Sequence, residues 1–377
     1  MSGGARSIAG VETSILALVD RFERGPLDRA DRVLGPGVLE ERFGPADPSS
    51  PGGLALRQFF RNGGREALIA RVDDRRRGPN SAGPASPTER WGEALDRLEG
   101  DFQLLAIPGV YALGQRAEVE VVYRRALELC ERRRAFLLID PPAGVTASDL
   151  AGNALPATLQ HANAALYFPT VHVDEPPGTQ APPNIGASGT VAGIMARTDT
   201  ARGVWKAPAG REASLRGASP ASEVDDAETA LLAAAGVNAL RTVSGAGPVV
   251  WGARTTAGSN AASSEWKYVP VRRFALFLEE SVERGLQWAA SEPNAEPLWI
   301  QVRQGVSAFL QDLYRNGAFA GQKPSDAWFV KCDAETMTQQ DRERGILNVL
   351  IGFAPLKPAE FVMLKLALKA GVAGPAS

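Results

Sequence analysis

The chain has two histidines, His161 and His172, eleven positions apart. A catalytic zinc site takes three protein ligands and keeps one position open. Asp149, Asp174 or Glu175 would have to complete such a set, and no compact motif joins them, so no metal site is expected. Gly186-Ala-Ser188-Gly-Thr190 comes close to the Gly-x-Ser-x-Gly turn that exposes a nucleophile. Thr190 stands where the second glycine is needed, so Ser188 is not expected to attack a substrate. Gly245-Ala-Gly247 lacks the third glycine of a dinucleotide fingerprint and precedes a strand rather than a helix. No Gly-x-x-x-x-Gly-Lys-Ser/Thr segment occurs. Glu279, Glu280 and Glu283 on a predicted helix could form an acid/base pair. With Arg284 adjacent and Arg272 and Arg273 ahead of the helix, a solvated or interface charge face fits better. Asp333 and Glu335 beside Lys331 read the same way. Cys130 and Cys332 have no metal spacing and read as two buried free thiols, the alternative being a disulfide between them. The expectation is no catalytic residue, no cofactor and no enzyme.

Bulk properties exclude further classes. The 377 residues suffice for one large domain or two to three smaller ones. Lys+Arg (41) and Asp+Glu (43) nearly cancel, giving a net charge of -2 and no global basic field for nucleic acid. Arg75-Arg-Arg77 follows Asp73 and Asp74 in a Gly/Pro/Ser-rich stretch and reads as solvated surface. No apolar run reaches membrane-spanning length, and the N-terminus lacks a signal-peptide pattern. Assembly in the cytoplasm is expected, with neither nucleic acid nor membrane bound directly.

The elements that must position these groups follow from periodicity. Leu16–Val19 reads as a buried strand. Leu54–Phe60 reads as a short helix stopped at Asn62-Gly-Gly64, and 67–72 as a strand. Trp91, Leu95 and Leu98 have helical spacing. Residues 102–107 and 135–139 read as strands around a helix over 119–132, whose apolar face is Val119, Val122, Tyr123, Ala126, Leu127 and Cys130. A helix over 155–165 then leads into a strand at 165–168. Val191–Met195 is expected to be packed, and 203–217 irregular. A helix over 225–235 ends at Gly236, followed by strands at 237–243 and 249–253. This alternation predicts an α/β central layer around a partly parallel sheet. The last third changes character. Helices over 274–288 and 298–314 accompany strands at 328–332, 346–351 and 362–368. Val362, Leu364, Leu366 and Leu368 alternate with Met363, Lys365, Ala367 and Lys369, as in a half-buried edge strand. The fold class is therefore α+β with an α/β central sheet layer, closed by a C-terminal domain of two helices against a small sheet. The expected division is 1–90, 91–258 and 259–371, with a flexible tail at 372–377.

Several segments, in order, resemble the contractile tail sheath proteins of phages and contractile injection systems. They include Phe59-Phe-Arg-Asn-Gly-Gly64, Ile139-Asp-Pro-Pro142, Gly203-Val-Trp-Lys-Ala-Pro208, Val250-Trp-Gly-Ala-Arg-Thr255 and Tyr268-Val-Pro-Val-Arg-Arg273. Gly317-Ala-Phe-Ala-Gly321, Trp328-Phe-Val-Lys-Cys-Asp333 and Ile351-Gly-Phe-Ala-Pro-Leu-Lys-Pro-Ala-Glu-Phe-Val362 continue the pattern nearly to the end. Only Met1–Gly10 precede Val11-Glu-Thr-Ser, which is shorter than the arm with which such chains often begin.

The resemblance implies a multi-domain tail-sheath-like fold and a structural subunit. Copies would polymerise as stacked rings around an inner tube and contract to drive it through a target envelope. Partners would be further copies of the chain, sheath paralogues, the inner tube protein, and baseplate and terminal cap proteins. The particle would be a phage tail or an injection particle, extracellular after release. The alternative is a non-contractile sheath-like cap, collar or baseplate-associated protein. Interface candidates are Lys357 and Glu360 near the tube-facing region, Arg272, Arg273, Glu279 and Glu283 for inter-subunit charge contacts, and the strand of Val362, Leu364, Leu366 and Leu368.

Overall fold

The structure is a computed structural model, and it describes residues 7–45, 51–73, 86–154, 156–174, 184–261, 264–356 and 362–371. The chain divides into two compact units. One is residues 12–272; the other joins the residues up to Val11 to those from Arg273 onward.

The larger, central unit is built on an eight-stranded sheet. Its strands are β1 (Leu16–Asp20), β2 (Asp31–Val33), β3 (Ala67–Arg71), β4 (Leu104–Ala106), β5 (Phe136–Ile139), β6 (Ala164–Phe168), β9 (Val237–Val243) and β10 (Gly247–Val250). They lie in the order β10-β9-β6-β5-β4-β1-β3-β2, parallel from β9 to β3 and antiparallel at both edges. β7 (Val171–Val173) and β8 (Ala218–Pro220) form a separate antiparallel pair. The central strands are short apolar runs because both faces are covered by helices. Side chains alternate between those faces. Ala17, Val19, Leu137, Ile139 and Leu166 pack with Trp91 of α3 (Pro87–Asp96), Tyr123 of α4 (Arg116–Arg132) and Leu232 of α7 (Asp226–Ala234). Against the other face lie α2 (Pro51–Asn62) and α6 (Ser188–Arg202), which touch each other along their lengths. The eight-residue α1 (Pro36–Phe43) and the single turn α5 (Ala147–Asp149) complete the unit.

Local chemistry sets several helix starts. In α3, Ser86 Oγ accepts the Glu89 N–H at 3.2 Å while the Glu89 carboxylate accepts the Ser86 N–H at 2.7 Å. Asp225 and Glu228 form the same reciprocal cap on α7. The helix expected over 155–165 is absent. Pro156 precedes a short 3-10 turn at Ala157–Leu159, and β6 begins at Ala164. The Thr256 hydroxyl donates to the Leu159 and His161 carbonyls at 2.7 and 3.0 Å, so these acceptors are met by a side chain instead of a helical turn.

The C-terminal unit holds most of α8 (Val269–Gly285), α9 (Glu296–Arg315), and the short α10 (Pro324–Ala327) and α11 (Gln339–Glu343). Its antiparallel sheet has the order β11 (Trp328–Lys331), β12 (Ile346–Phe353), β13 (Val362–Lys369). Phe274 sits at its centre, with ring centroids 5.3 Å from both Phe319 and Phe353. The observed class is the expected one: an α/β sheet layer, and a smaller α+β unit of two long helices against a small sheet.

Candidate assembly surfaces

In a parallel sheet the carboxyl edge, where strand order reverses, is the usual place for a ligand. Here β1 lies between β3 and β4, so the reversal falls at its C-terminal end. That position holds Asp20, 2% exposed, whose Oδ1 accepts the Arg21 N–H at 2.7 Å. A side chain at Gly109 would begin 2.1 Å from Asp20 Oδ1, so the crevice is closed by backbone. Two strands away, Asp140 Oδ1 accepts the Ser188 N–H at 2.8 Å and Oδ2 accepts the Ser188 hydroxyl at 2.6 Å. The start of α6, a ready anion site, is thus filled by the chain's own carboxylate. Ser188 is 1% exposed, so its hydroxyl, donated to that carboxylate, is closed off from any substrate.

The other chemical candidates stay apart. His161 Nδ1 accepts the Asn163 N–H at 3.0 Å, which leaves Nε2–H to donate to Glu131 at 2.9 Å. His172 faces Asn184 at 3.3 Å. Glu175 lies outside the described residues. Cys130 and Cys332 are free and buried, and burial pushes the Cys332 thiol up to about 12. Among the described residues no helix is long and apolar enough to cross a membrane.

Sheet edges are the groups left to consider, because an unpaired edge is a template for a strand of another chain. The central sheet closes both of its own. Residues 210–215 run along β10, with Gly210 and Leu215 donating to the Val250 and Pro248 carbonyls, both at 2.8 Å. On β2, the Arg32 N–H turns to the Asp31 carboxylate at 3.1 Å, and Arg42 spans from Asp31 (2.9 Å) to the Arg32 carbonyl (3.5 Å). The C-terminal sheet differs. Among the described residues no strand pairs with the outer side of β11 or β13. Val362, Leu364 and Leu366 point into the core and Leu368 is half-buried, while Met363, Lys365, Ala367 and Lys369 are exposed. What β13 leaves uncovered among the described residues is its outer backbone edge and its lysine-bearing face.

The N-terminal segment belongs to this same unit. The Val11 N–H donates to Ser281 Oγ of α8 at 3.1 Å, Gly10 lies against the Phe277 ring, and Ile8 packs at Gly285. On α8, Arg273 is 4% exposed, and Glu279 and Glu283 are half-buried. Arg272 donates to Asn163 Oδ1 at 2.7 Å and stacks 4.7 Å over Trp266. Lys357 and Glu360 lie outside the described residues.

Sequence reasoning missed α6. Its Gly189 and Gly193 sit where side chains would begin 2.1 Å from the Ala55 carbonyl and 2.4 Å from that of Phe59, so α2 and α6 meet backbone to backbone. The four-residue glycine spacing was the available signal.

A self-capped central sheet and, among the described residues, unpaired outer edges on the C-terminal sheet leave strand edges rather than a catalytic group as the feature to explain. Residues 88–256 match the phage tail sheath protein central domain and 261–369 the phage tail sheath C-terminal domain. The chain belongs to the phage tail sheath family. It is 25% identical over 372 residues to a protein described as a prophage major tail sheath protein of Pseudomonas aeruginosa (strain UCBPP-PA14), covering 95% of this chain and 91% of that one. It is similar to a chain in the contracted helical sheath of the anti-feeding prophage, with TM-score 0.76, 29% identity and coverage of 96% and 95%. It is also similar to a chain in the six-fold baseplate of that particle, with TM-score 0.74, 28% identity and coverage of 97% and 96%.

Proposed function

We propose that this chain is a sheath subunit that polymerises as stacked rings around an inner tube and shortens to drive that tube through a target envelope. The observation that carries the reading is the near-full-length similarity to a subunit of a contracted helical sheath. The open edges of β11 and β13 support it, since strand addition would link copies through main-chain hydrogen bonds while other contacts rearrange.

On this reading the C-terminal unit faces the tube and the central unit faces outward. Lys357 and Glu360 serve the tube side, and the partly exposed Arg272, Glu279 and Glu283 serve contacts between copies, whereas Arg273, expected to join them, is buried. Any one exposed ion pair contributes only about 0–1 kcal/mol, and repetition around the lattice gives it weight. The partners are further copies of this chain, the tube protein, and baseplate and cap proteins, within a phage tail or injection particle assembled in the cytoplasm.

A second reading rests on the similarity to a baseplate chain at nearly the same score: a non-contractile, few-copy position at one end of the tube. Cryo-electron microscopy of native particles, with subunit counting by mass spectrometry, separates the two. A continuous helical layer seen in long and short forms supports the contractile sheath. A single terminal ring of this chain overturns it in favour of the second reading.

A further inference from the structure

Asp20 and Asp140 hold the starts of the two helices on one face of the central sheet. Each is 2% exposed. Asp140 Oδ1 accepts the Ser188 N–H at the α6 start, and Asp20 Oδ1 accepts the Arg21 N–H, while Asp20 Oδ2 has no hydrogen-bond partner and lies against Gly52 in the first turn of α2. Glycine backbone closes over both. A side chain at Gly52 would begin 2.5 Å from Asp20, and one at Gly186 would begin 2.0 Å from Asp140. Arg21 is the charged group facing Asp20. The titratable groups near Asp140 are Tyr111, from the 3-10 turn at Val110–Leu113, whose hydroxyl donates to the Asp140 carbonyl, and Tyr123 of α4, whose hydroxyl accepts the Asp140 N–H. Among the described residues no lysine, arginine or histidine pairs with Asp140. Both acids are sealed from water, and α2 and α6 are locked to one another by Gly189 and Gly193, so the two starts are mechanically joined.

We propose that Asp20 and Asp140 form a proton-operated latch that seats the α2–α6 layer on the sheet when protonated and loosens it when both are ionised. A buried carboxylate gains by reaching water, at Asp140 because no cation pairs with it and at Asp20 because the adjacent Arg21 only partly offsets burial, and displacing the helix start above it admits that water. Protonation removes that drive. At Asp140 the Ser188 hydroxyl can rotate to accept from the new O–H, so the contact persists. Burial raises Asp20 to about 7 and Asp140 to about 6, from an ordinary 3.8. Groups with raised folded values stabilise the fold fully below their unfolded value and lose that contribution as pH rises through the folded one. The window is therefore from about pH 4 to about pH 7, and the layer is loosest on the alkaline side. This inference is independent of the assembly reading.

The test is hydrogen exchange by mass spectrometry on the full chain at pH 5.5 and 8.5, corrected for intrinsic exchange, following peptides from α2, α6 and α9. Each unit of separation between folded and unfolded values is worth about tenfold in opening, so α2 and α6 should lose at least about tenfold protection at the higher pH while α9 does not. Asp20→Asn with Asp140→Asn should remove the pH dependence. Equal α2 and α6 protection at both pH values, or the same dependence in a folded double variant, overturns the latch. Should the variants not fold, the wild-type contrast between α6 and α9 decides.

Discussion

Asn238 grips Arg254 by both of its backbone groups. Its Oδ1 accepts the Arg254 N–H at 2.6 Å, and its Nδ2 donates to the Arg254 carbonyl at 2.8 Å and to the Leu166 carbonyl at 3.1 Å. A fully buried amide on β9 thereby ties the segment after β10 to the neighbouring strand β6. Asn238→Ala leaves these groups without partners and should cost about 3 kcal/mol. Urea unfolding followed by tryptophan fluorescence would show it as a lowered midpoint. An unchanged midpoint would mean water replaces the amide.

Two effects oppose each other at Gly189→Ala. Helix propensity favours alanine by about 1 kcal/mol. Packing opposes it, because the added Cβ meets the Ala55 carbonyl, a backbone atom that cannot swing aside. Overpacking of this kind costs about 1–3 kcal/mol, so the variant should be net destabilised, with Gly193→Ala behaving alike. Thermal melting of either variant at or above the wild-type temperature would refute backbone-to-backbone contact of α2 and α6.

The N-terminal segment should be separable from the fold that holds it. Ser281→Ala deletes the acceptor of the Val11 N–H, at a cost of about 1 kcal/mol. Gly10→Val also drives a branched side chain toward Phe277, whose ring atom lies 2.9 Å from the new Cβ. Limited proteolysis should nick the double variant near residues 7–11 faster than wild type, with the melting of the central unit unchanged.

Lysines 365 and 369 lie on the exposed face of the edge strand β13. Lys365→Glu with Lys369→Glu should leave the melting temperature within about 1 °C, since exposed charges contribute little to folding. Helical polymer yield should fall severalfold in negative-stain micrographs. Normal polymers would take this face out of the contacts between copies.

Most of the fold could be read from the chain because its signals are local. The α4 stripe from Val119 to Cys130 is buried on the face its spacing predicts. The alternation of β13 likewise matches its burial at Val362, Leu364 and Leu366. α6 was not legible because Ser188–Ala196 is buried on every side, which erases the amphipathic period, and its glycines imitate loop composition. Pro156 and the reach of Thr256 to Leu159 turned an apolar stretch away from helix. The candidate surface was legible as a region and less so by residue. No pattern in Tyr268–Arg273 distinguishes the buried Arg273 from the stacked Arg272. The docking of Val11 on Ser281 joins residues 270 positions apart, beyond any local signal.

The central unit is flanked on both sides by stretches of the other one, Val11 before it and Arg273 after it. In topological terms it is an insert carried by a host module. Its sheet caps its own edges, whereas among the described residues no strand pairs with the outer edges of the host's sheet. Change can therefore accumulate in the insert, by enlargement, trimming or exchange as a cassette, with the host's own sheet left as it was. Chimaeras that swap residues 12–272 between family members, keeping the host sequence of one parent, would be the natural currency for engineering such particles.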